Sequence, residues 1–155
     1  MEKSLTIEYQ EFDSPEQLSR QDRELVNKPI AATGTSYAPY SEFNVGAAVR
    51  MSDGRVFTGS NQENAAFPSG LCAERTALFY AHAHAEGSTI DAIAIAACKN
   101  GSQVAQPVPP CGACRQVLTE FSASDKPVAV ILAGSRKIVR FGNANDLLPF
   151  SFDSF

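Results

Sequence analysis

Three cysteines stand where helices are predicted to begin. Cys72 opens a stretch that runs to about Glu86, contains no glycine or proline and is rich in Ala, Leu and Glu. Cys111 and Cys114 open a second stretch, in which apolar residues recur at helical spacing as far as Phe121. A helix N-terminus favours negative charge and lowers the pKa of a thiol, so we expect thiolates at these positions. Three thiolates that converge form a soft ligand set suited to zinc, with a fourth position left for water.

Glu74 lies two residues after Cys72, close enough to face the open position of such a site. A carboxylate there can take a proton from the activated water and pass it to a substrate nitrogen. Zinc with three thiolates carries one net negative charge, which weakens its power to acidify water. Arg75 and Arg115 directly follow Glu74 and Cys114 in the sequence, and we expect their positive charges to offset this effect.

The cysteine pattern admits two further interpretations. Cys111 and Cys114 form a Cys-x-x-Cys pair which, taken alone, is as typical of a thioredoxin-like redox site as of a metal site. The second alternative is a binding module that zinc stabilises and that has no catalytic activity. In such a module, a carboxylate at Glu74 beside the metal would have no chemical role. The combination with Cys72 and Glu74 favours a catalytic zinc site. Cys98, at the end of a predicted buried strand, is interpreted as a small core residue.

A layered α/β fold is predicted to position these residues. Residues 44–50 and 55–60 flank a Ser-Asp-Gly turn and predict a β-hairpin. Residues 90–98 are apolar on both faces, which is typical of an interior strand. Strands at 128–132 and 137–141 are separated by a tight turn, so they should pair antiparallel. Helices between strands imply parallel crossovers, and we predict a three-layer α/β/α sandwich with a mixed sheet of about five strands.

The chain of 155 residues is predicted to hold one catalytic domain, residues 14–155, preceded by an extension, residues 1–13, to which we assign no function. Ser14 followed by Pro15 indicates the start of a helix. Pro29 lies inside the helical pattern that follows and should kink or break that helix.

Composition and charge exclude several classes of function. With 44% hydrophobic and 19% charged residues, the chain is not typical of a disordered protein. The net charge of −4, without a run of Lys or Arg, argues against a polynucleotide or an anionic membrane as partner. No apolar stretch is long enough to span a membrane, and the N-terminus lacks the apolar core of a signal peptide. We therefore expect a cytoplasmic, reducing location, where cysteines indicate metal binding or catalysis more than disulfides.

Four motifs resemble those of the cytidine deaminases. They are residues 37–48 (Tyr-Ala-Pro-Tyr-Ser-Glu-Phe-Asn-Val-Gly-Ala-Ala), 61–65 (Asn-Gln-Glu-Asn-Ala), 72–75 (Cys-Ala-Glu-Arg) and 110–116 (Pro-Cys-Gly-Ala-Cys-Arg-Gln). Zinc deaminases carry a His-x-Glu…Pro-Cys-x-x-Cys signature. Cys72 stands in place of that histidine, which resembles the short, homotetrameric, three-cysteine branch of the family. The resemblance covers most of the chain, from Tyr37 to about Phe152.

The resemblance implies hydrolytic deamination of cytidine and of 2′-deoxycytidine to the corresponding uridine and ammonia, a reaction of pyrimidine salvage. It implies one zinc ion per chain, held by Cys72, Cys111 and Cys114. Glu74 is implied as the proton shuttle, which protonates N3 of the base and later the departing amine. A small nucleoside is the implied substrate, and a homotetramer is the implied assembly.

The resemblance also implies substrate contacts. Phe43 would stack on the pyrimidine, the backbone of Ala73 would contact the base, and Asn61 and Glu63 would hydrogen-bond the ribose hydroxyls. A site built to bond hydroxyls rejects ligands that lack them. Without the resemblance, residues 61–64 would be interpreted as a polar loop. Asn61 and Glu63 argue against a deaminase of another cytosine compound, such as blasticidin S, and the lack of a basic groove argues against a polynucleotide-editing deaminase.

The C-terminal segment has an unusual composition. The last nine residues contain two leucines and three phenylalanines, whereas chain ends are commonly polar and frayed. Such apolar side chains either cover the chain's own sheet or pack against another copy. The resemblance favours the second possibility, in which Phe152 reaches a ligand bound in a neighbouring subunit.

Overall fold

A computed structural model describes residues 1–154 of the chain and confirms the α/β class. The strands are β1 (Tyr9–Phe12), β2 (Phe43–Met51), β3 (Val56–Ser60), β4 (Ile90–Lys99), β5 (Ser102–Gln103), β6 (Ala129–Ala133) and β7 (Ile138–Phe141). The α-helices are α1 (Arg20–Val26), α2 (Lys28–Ala32), α3 (Ala73–Ala83) and α4 (Gly112–Phe121). The sheet order is β1-β7-β6-β4-β2-β3, with β5 paired to β4.

The predicted strand pairings are confirmed. β2 and β3 form the antiparallel hairpin, and β6 and β7 pair antiparallel across their tight turn. β4 lies inside the sheet between β2, to which it is antiparallel, and β6, to which it is parallel. The sheet is therefore mixed, as predicted.

The sheet has seven strands where the sequence predicted about five. β5 is a two-residue strand that follows a turn at Asn100 and Gly101, both at positive φ. Asn-Gly is a strong hairpin signal, so this short strand was detectable in the sequence. β1 lies within the 1–13 extension and pairs antiparallel with β7, where the rings of Tyr9 and Phe141 are 5.6 Å apart. The extension thus contributes an edge strand.

The predicted first helix is divided into shorter pieces. Ser14 and Pro15 begin a single 3₁₀ turn, and α1 begins later, where the Ser19 hydroxyl accepts a hydrogen bond from the Asp22 amide at 3.2 Å. The predicted break at Pro29 is confirmed, because α1 ends before Asn27 and α2 begins after it. Proline is tolerated in the first turn of α2, where its missing N–H would have no helical partner.

Helices cover both faces of the sheet, which gives the predicted three layers. On one face, α3 and α4 pack over the sheet through buried side chains that include Ala77, Leu78 and Leu118. On the other face, Leu25 and Val26 of α1 pack over small residues of the central strands. Among residues 1–154, none of the helices has the length and apolar character needed to cross a membrane.

The topology places the starts of α3 and α4 at one edge of the sheet. β2 is antiparallel to both β3 and β4, so β3 and β4 run in the same direction. α3 follows β3 and α4 follows β4, and both helices therefore begin near the carboxyl ends of those strands. The two strands are separated by β2. α3 packs closely on β3 at Gly59, where there is no room for a side chain. A Cβ at this position would lie 2.6 Å from the Ala77 nitrogen.

Candidate active site

The three predicted cysteines meet at this edge of the sheet. Cys72 caps α3, Cys111 caps α4, and Cys114 lies in the first turn of α4. The Cys72 and Cys111 sulfurs are 3.8 Å apart, the Cys111 and Cys114 sulfurs are 3.5 Å apart, and all three lie within 4.8 Å of one another. Cys114 is buried and Cys111 is exposed, so the cluster opens to one side.

The geometry of the thiols fits zinc. Tetrahedral coordination with Zn–S bonds of about 2.3 Å requires sulfurs roughly 3.8 Å apart, which is close to the separations of Cys111 from Cys72 and from Cys114. Among residues 1–154, no fourth His, Cys, Asp or Glu joins the group. Structural zinc sites usually have four protein ligands, whereas catalytic sites have three and an open position. The donor set is therefore that of a catalytic zinc site.

The protonation of the thiols supports the same assignment. Hydrogen bonding to Cys114, followed by hydrogen bonding to Arg75 and Cys111, lowers the pKa of Cys72 to about 5 against the effect of burial. The pKa of Cys114 is raised, first by its hydrogen bond to Cys72 and then by burial. One thiolate thus opposes the ionisation of the next. A divalent cation relieves this conflict, because it lets several thiolates lie side by side.

Glu74 is a buried carboxyl group beside the thiols, with 5% of its surface exposed. Burial raises the pKa of Glu74 to about 6, and the charge of Cys72 acts in the same direction. A hydrogen bond to the backbone at Glu74, the charge of Arg75 and a hydrogen bond with Cys114 act on this pKa in the opposite direction. The predicted shuttle residue is therefore adjacent to the predicted ligands and shielded from bulk water.

The two predicted charge-compensating arginines lie in different surroundings. Arg75 donates a hydrogen bond from Nη2 to the Cys72 sulfur at 3.7 Å, while its buried Nε has no hydrogen-bond partner among residues 1–154. Arg115 instead donates from Nε to the Pro110 carbonyl at 2.9 Å and from Nη1 to the Leu147 carbonyl at 3.0 Å. These hydrogen bonds place Arg75 on the thiol cluster and Arg115 on backbone carbonyls.

A cavity of about 520 Å³ adjoins the cluster at Cys72 and Arg75. Asn61 and Glu63, the residues predicted to contact ribose, line this cavity. The cavity therefore extends from Cys72 to the predicted ribose contacts. Phe43 and Glu74 do not line it. Its volume falls in the range of ordinary small-molecule sites.

Asn61 and Glu63 also make hydrogen bonds within the chain, which the sequence did not reveal. Asn61 accepts from the Val45 amide at 2.8 Å and from the Ser36 hydroxyl, and its side-chain amide donates to the Phe43 carbonyl at 2.8 Å. These bonds hold the beginning of β2.

Glu63 organises the loop that precedes β2. Its carboxylate accepts from the Tyr40 amide at 2.9 Å, from the Ser41 amide at 3.2 Å and from the Ser41 hydroxyl. The hydrogen bond from Ser41 holds the pKa of Glu63 below its usual range. Tyr40 and Ser41 line the same cavity, although the sequence predicted no individual role for either residue.

The remaining predicted contacts lie around the cluster. Phe43 is half-buried at the first position of β2. Ala73 is fully buried at the first position of α3, where a backbone N–H has no helical partner. Phe152 is 70% exposed, and its carbonyl accepts a hydrogen bond from Gln116 at 2.7 Å. The structure therefore brings Cys72, Cys111, Cys114, Glu74 and Arg75 together and leaves Phe152 at the surface.

Comparisons with known proteins agree with this geometry. The family model for the cytidine and deoxycytidylate deaminase zinc-binding region matches residues 19–131. A cytidine deaminase of Halalkalibacterium halodurans is 42% identical over 83% of this chain and 91% of that protein. A cytidine deaminase of Sporosarcina psychrophila is 43% identical over 67% of this chain and 72% of that protein. The crystal structure of a cytidine deaminase from Burkholderia pseudomallei matches with a TM-score of 0.71 at 42% identity, covering 87% of this chain and all of that one.

The fold and the three-thiol cluster define a zinc-binding deaminase domain, which is a hydrolytic class of enzyme. The family match and the relatives show that the chain belongs to the cytidine deaminase family. The predicted family, fold class and zinc cofactor are therefore confirmed, and the redox interpretation of Cys111 and Cys114 is wrong. The roles of the individual side chains and the division at residue 14 stay predictions.

Proposed function

We propose that this chain catalyses the hydrolytic deamination of cytidine and 2′-deoxycytidine to uridine and deoxyuridine in cytoplasmic pyrimidine salvage. The observation that carries the proposal is the buried Glu74 carboxyl beside three convergent thiols, one of which, Cys72, lines a nucleoside-sized cavity. The relatives named above as cytidine deaminases support the choice of cytosine nucleosides as substrates.

The chemistry is divided between the metal and the chain. Cys72, Cys111 and Cys114 would hold zinc, which when bound supplies a Lewis acid that activates water for attack at C4 of the base. Glu74 takes a proton from that water and delivers it to N3. Glu74 then takes the second proton of the water to the amine, the bond between C4 and the amine nitrogen breaks, and ammonia leaves a carbonyl at C4.

The ribose contacts are proposed for groups that already hold the loop in place. Asn61 uses one of its two amide hydrogens within the chain, and Glu63 accepts three hydrogen bonds where a carboxylate offers about four positions. Each side chain thus retains capacity for one hydroxyl. Phe43 is proposed to stack on the base, and the Ala73 backbone is proposed to bind its polar edge.

The test of the function is turnover of defined cytosine compounds. The zinc-loaded protein is incubated with cytidine, 2′-deoxycytidine, blasticidin S and a cytosine-containing single-stranded oligonucleotide, and base absorbance and ammonia are followed. We expect turnover of the two nucleosides. Turnover of blasticidin S or of the oligonucleotide with neither nucleoside accepted would replace the proposed substrate class, and no turnover at all would contradict catalysis.

A homotetramer is the proposed assembly, with Phe152 completing the cavity of a neighbouring copy. Phe150 and Phe152 do not cover the chain's own sheet, because Phe150 is fully exposed and Phe152 is 70% exposed. The rings of Tyr40 and Phe67, which line the cavity, are also exposed and lie 5.9 Å apart edge to face. Aromatic rings at an open cavity are suited to packing against a ring from another copy.

Deletion of residues 150–155 should raise KM for cytidine and weaken assembly without loss of zinc. An aromatic contact contributes about 0.5–1.5 kcal/mol, so KM should rise about 2- to 12-fold. Deletion of residues 153–155, which retains Phe152, is the matched control. Steady-state kinetics and light scattering across a dilution series measure the effect. A fully active monomer, or an unchanged KM after the longer deletion, would contradict the proposed role of Phe152.

A further inference from the structure

Two consecutive side chains of α4 hold the C-terminal segment by its backbone. Gln116 donates from its side-chain amide to the Phe152 carbonyl at 2.7 Å. Arg115 donates to the Leu147 carbonyl at 3.0 Å, and the same guanidinium binds the Pro110 carbonyl at 2.9 Å. Both residues directly follow Cys114, so the C-terminal segment is attached to the helix that carries two of the three thiols.

The segment needs such an attachment. Leu147 is buried, but residues 148–154 form neither helix nor strand, and Phe150 has a positive φ of 57° and is fully exposed. Chain ends fray unless they are tied down. A hydrogen bond to a carbonyl fixes the path of the backbone and leaves the side chain of that residue to point elsewhere. Gln116 therefore binds the backbone of Phe152 while 70% of that residue stays exposed.

We propose that Gln116 is a positioning residue, which holds the C-terminal segment on the metal-binding helix and thereby aims the Phe152 ring. Arg115 has a wider role, because it binds both Leu147 and the residue before Cys111. Loss of Gln116 should thus affect the C-terminal segment alone, whereas loss of Arg115 should also affect the metal loop. The effect of Gln116 on catalysis rests on the proposed function, while its effect on the position of the segment does not.

A double-mutant cycle tests the first consequence. Gln116→Met keeps the length of the side chain and removes the amide, and Glu120→Gln at an exposed position of the same helix is the control. Loss of one hydrogen bond of ordinary strength changes an equilibrium constant by about 2- to 12-fold. We therefore expect KM for cytidine to rise within that range, while kcat and zinc content stay unchanged. In the protein that lacks residues 150–155, the same substitution should change KM no further. Effects that multiply in the double variant would overturn the proposal, because Gln116 would then act without the segment.

Limited proteolysis of the full-length, zinc-loaded protein provides a readout that does not depend on activity. Chymotrypsin cleaves after phenylalanine, and we expect faster cleavage after Phe150 and Phe152 in Gln116→Met than in the wild type or in Glu120→Gln. Equal cleavage rates would overturn the positioning role. If the cleavage rates differ while the wild type does not deaminate cytidine, the proposed function fails and the positioning role stands.

Discussion

Glu74→Gln is expected to lower kcat for cytidine by at least ~10²–10⁴-fold, the range typical of a group that transfers protons. Glutamine fills the same volume but cannot accept a proton and return it. The loss should fall on kcat rather than on KM, because the substitution preserves shape at a position that is 5% exposed. Zinc content should be unchanged, since the three thiols remain in place.

The Glu74→Gln variant should also fold. Burial disfavours an ionised carboxylate, and a neutral side chain of equal size avoids that cost, so the thermal midpoint should not fall. Glu120→Gln, an identical substitution at an exposed position, is the control for both kinetics and stability. Steady-state kinetics, metal analysis and thermal unfolding on the same preparations separate the outcomes. Retention of a tenth of the wild-type kcat would remove Glu74 from the proposed mechanism.

Local patterns in the sequence were sufficient for the elements that carry the site. The Ser-Asp-Gly turn specified the β2–β3 hairpin, and continuous apolar residues specified β4 as interior. Cys72 and Cys111 were expected at helix N-termini, and both residues cap helices. The order of strands and helices predicted the layered α/β fold that brings the two helix starts together. The ligand set followed from spacing together with this topology.

Other features depend on contacts between distant parts of the chain and could not be read locally. β1 exists because residues 9–12 pair with β7, more than 120 residues later in the sequence. The hydrogen bond between Gln116 and Phe152 likewise has no local signal. Asn61 and Glu63 were predicted to contact ribose, yet the structure shows them holding the start of β2 and the preceding loop. Their positions were predictable from motifs, but their intramolecular partners required the fold.

Cys111→Ser should abolish stable zinc binding and, with it, activity. Serine is not deprotonated near neutral pH and is a poor ligand for zinc, whereas a thiolate binds the metal directly. Even residues that only orient ligands change metal affinity by about 10- to 100-fold, so removal of a ligand should cost more than ~100-fold. Metal analysis after exposure to a chelator, followed by cytidine turnover, measures both effects.

Position 111 suits this experiment because the substitution separates metal binding from folding. Cys111 caps α4 and is exposed, and serine is among the preferred residues at a helix N-cap, so α4 should start at the same place. The matched control is Cys98→Ser, since Cys98 lies on β4, where its sulfur accepts a hydrogen bond from Thr33 at 3.6 Å, outside the thiol group. We expect Cys98→Ser to retain about one zinc per chain. Full zinc content and full activity in Cys111→Ser would contradict the three-thiolate site, whereas equal zinc loss in both variants would indicate a general effect of removing a thiol.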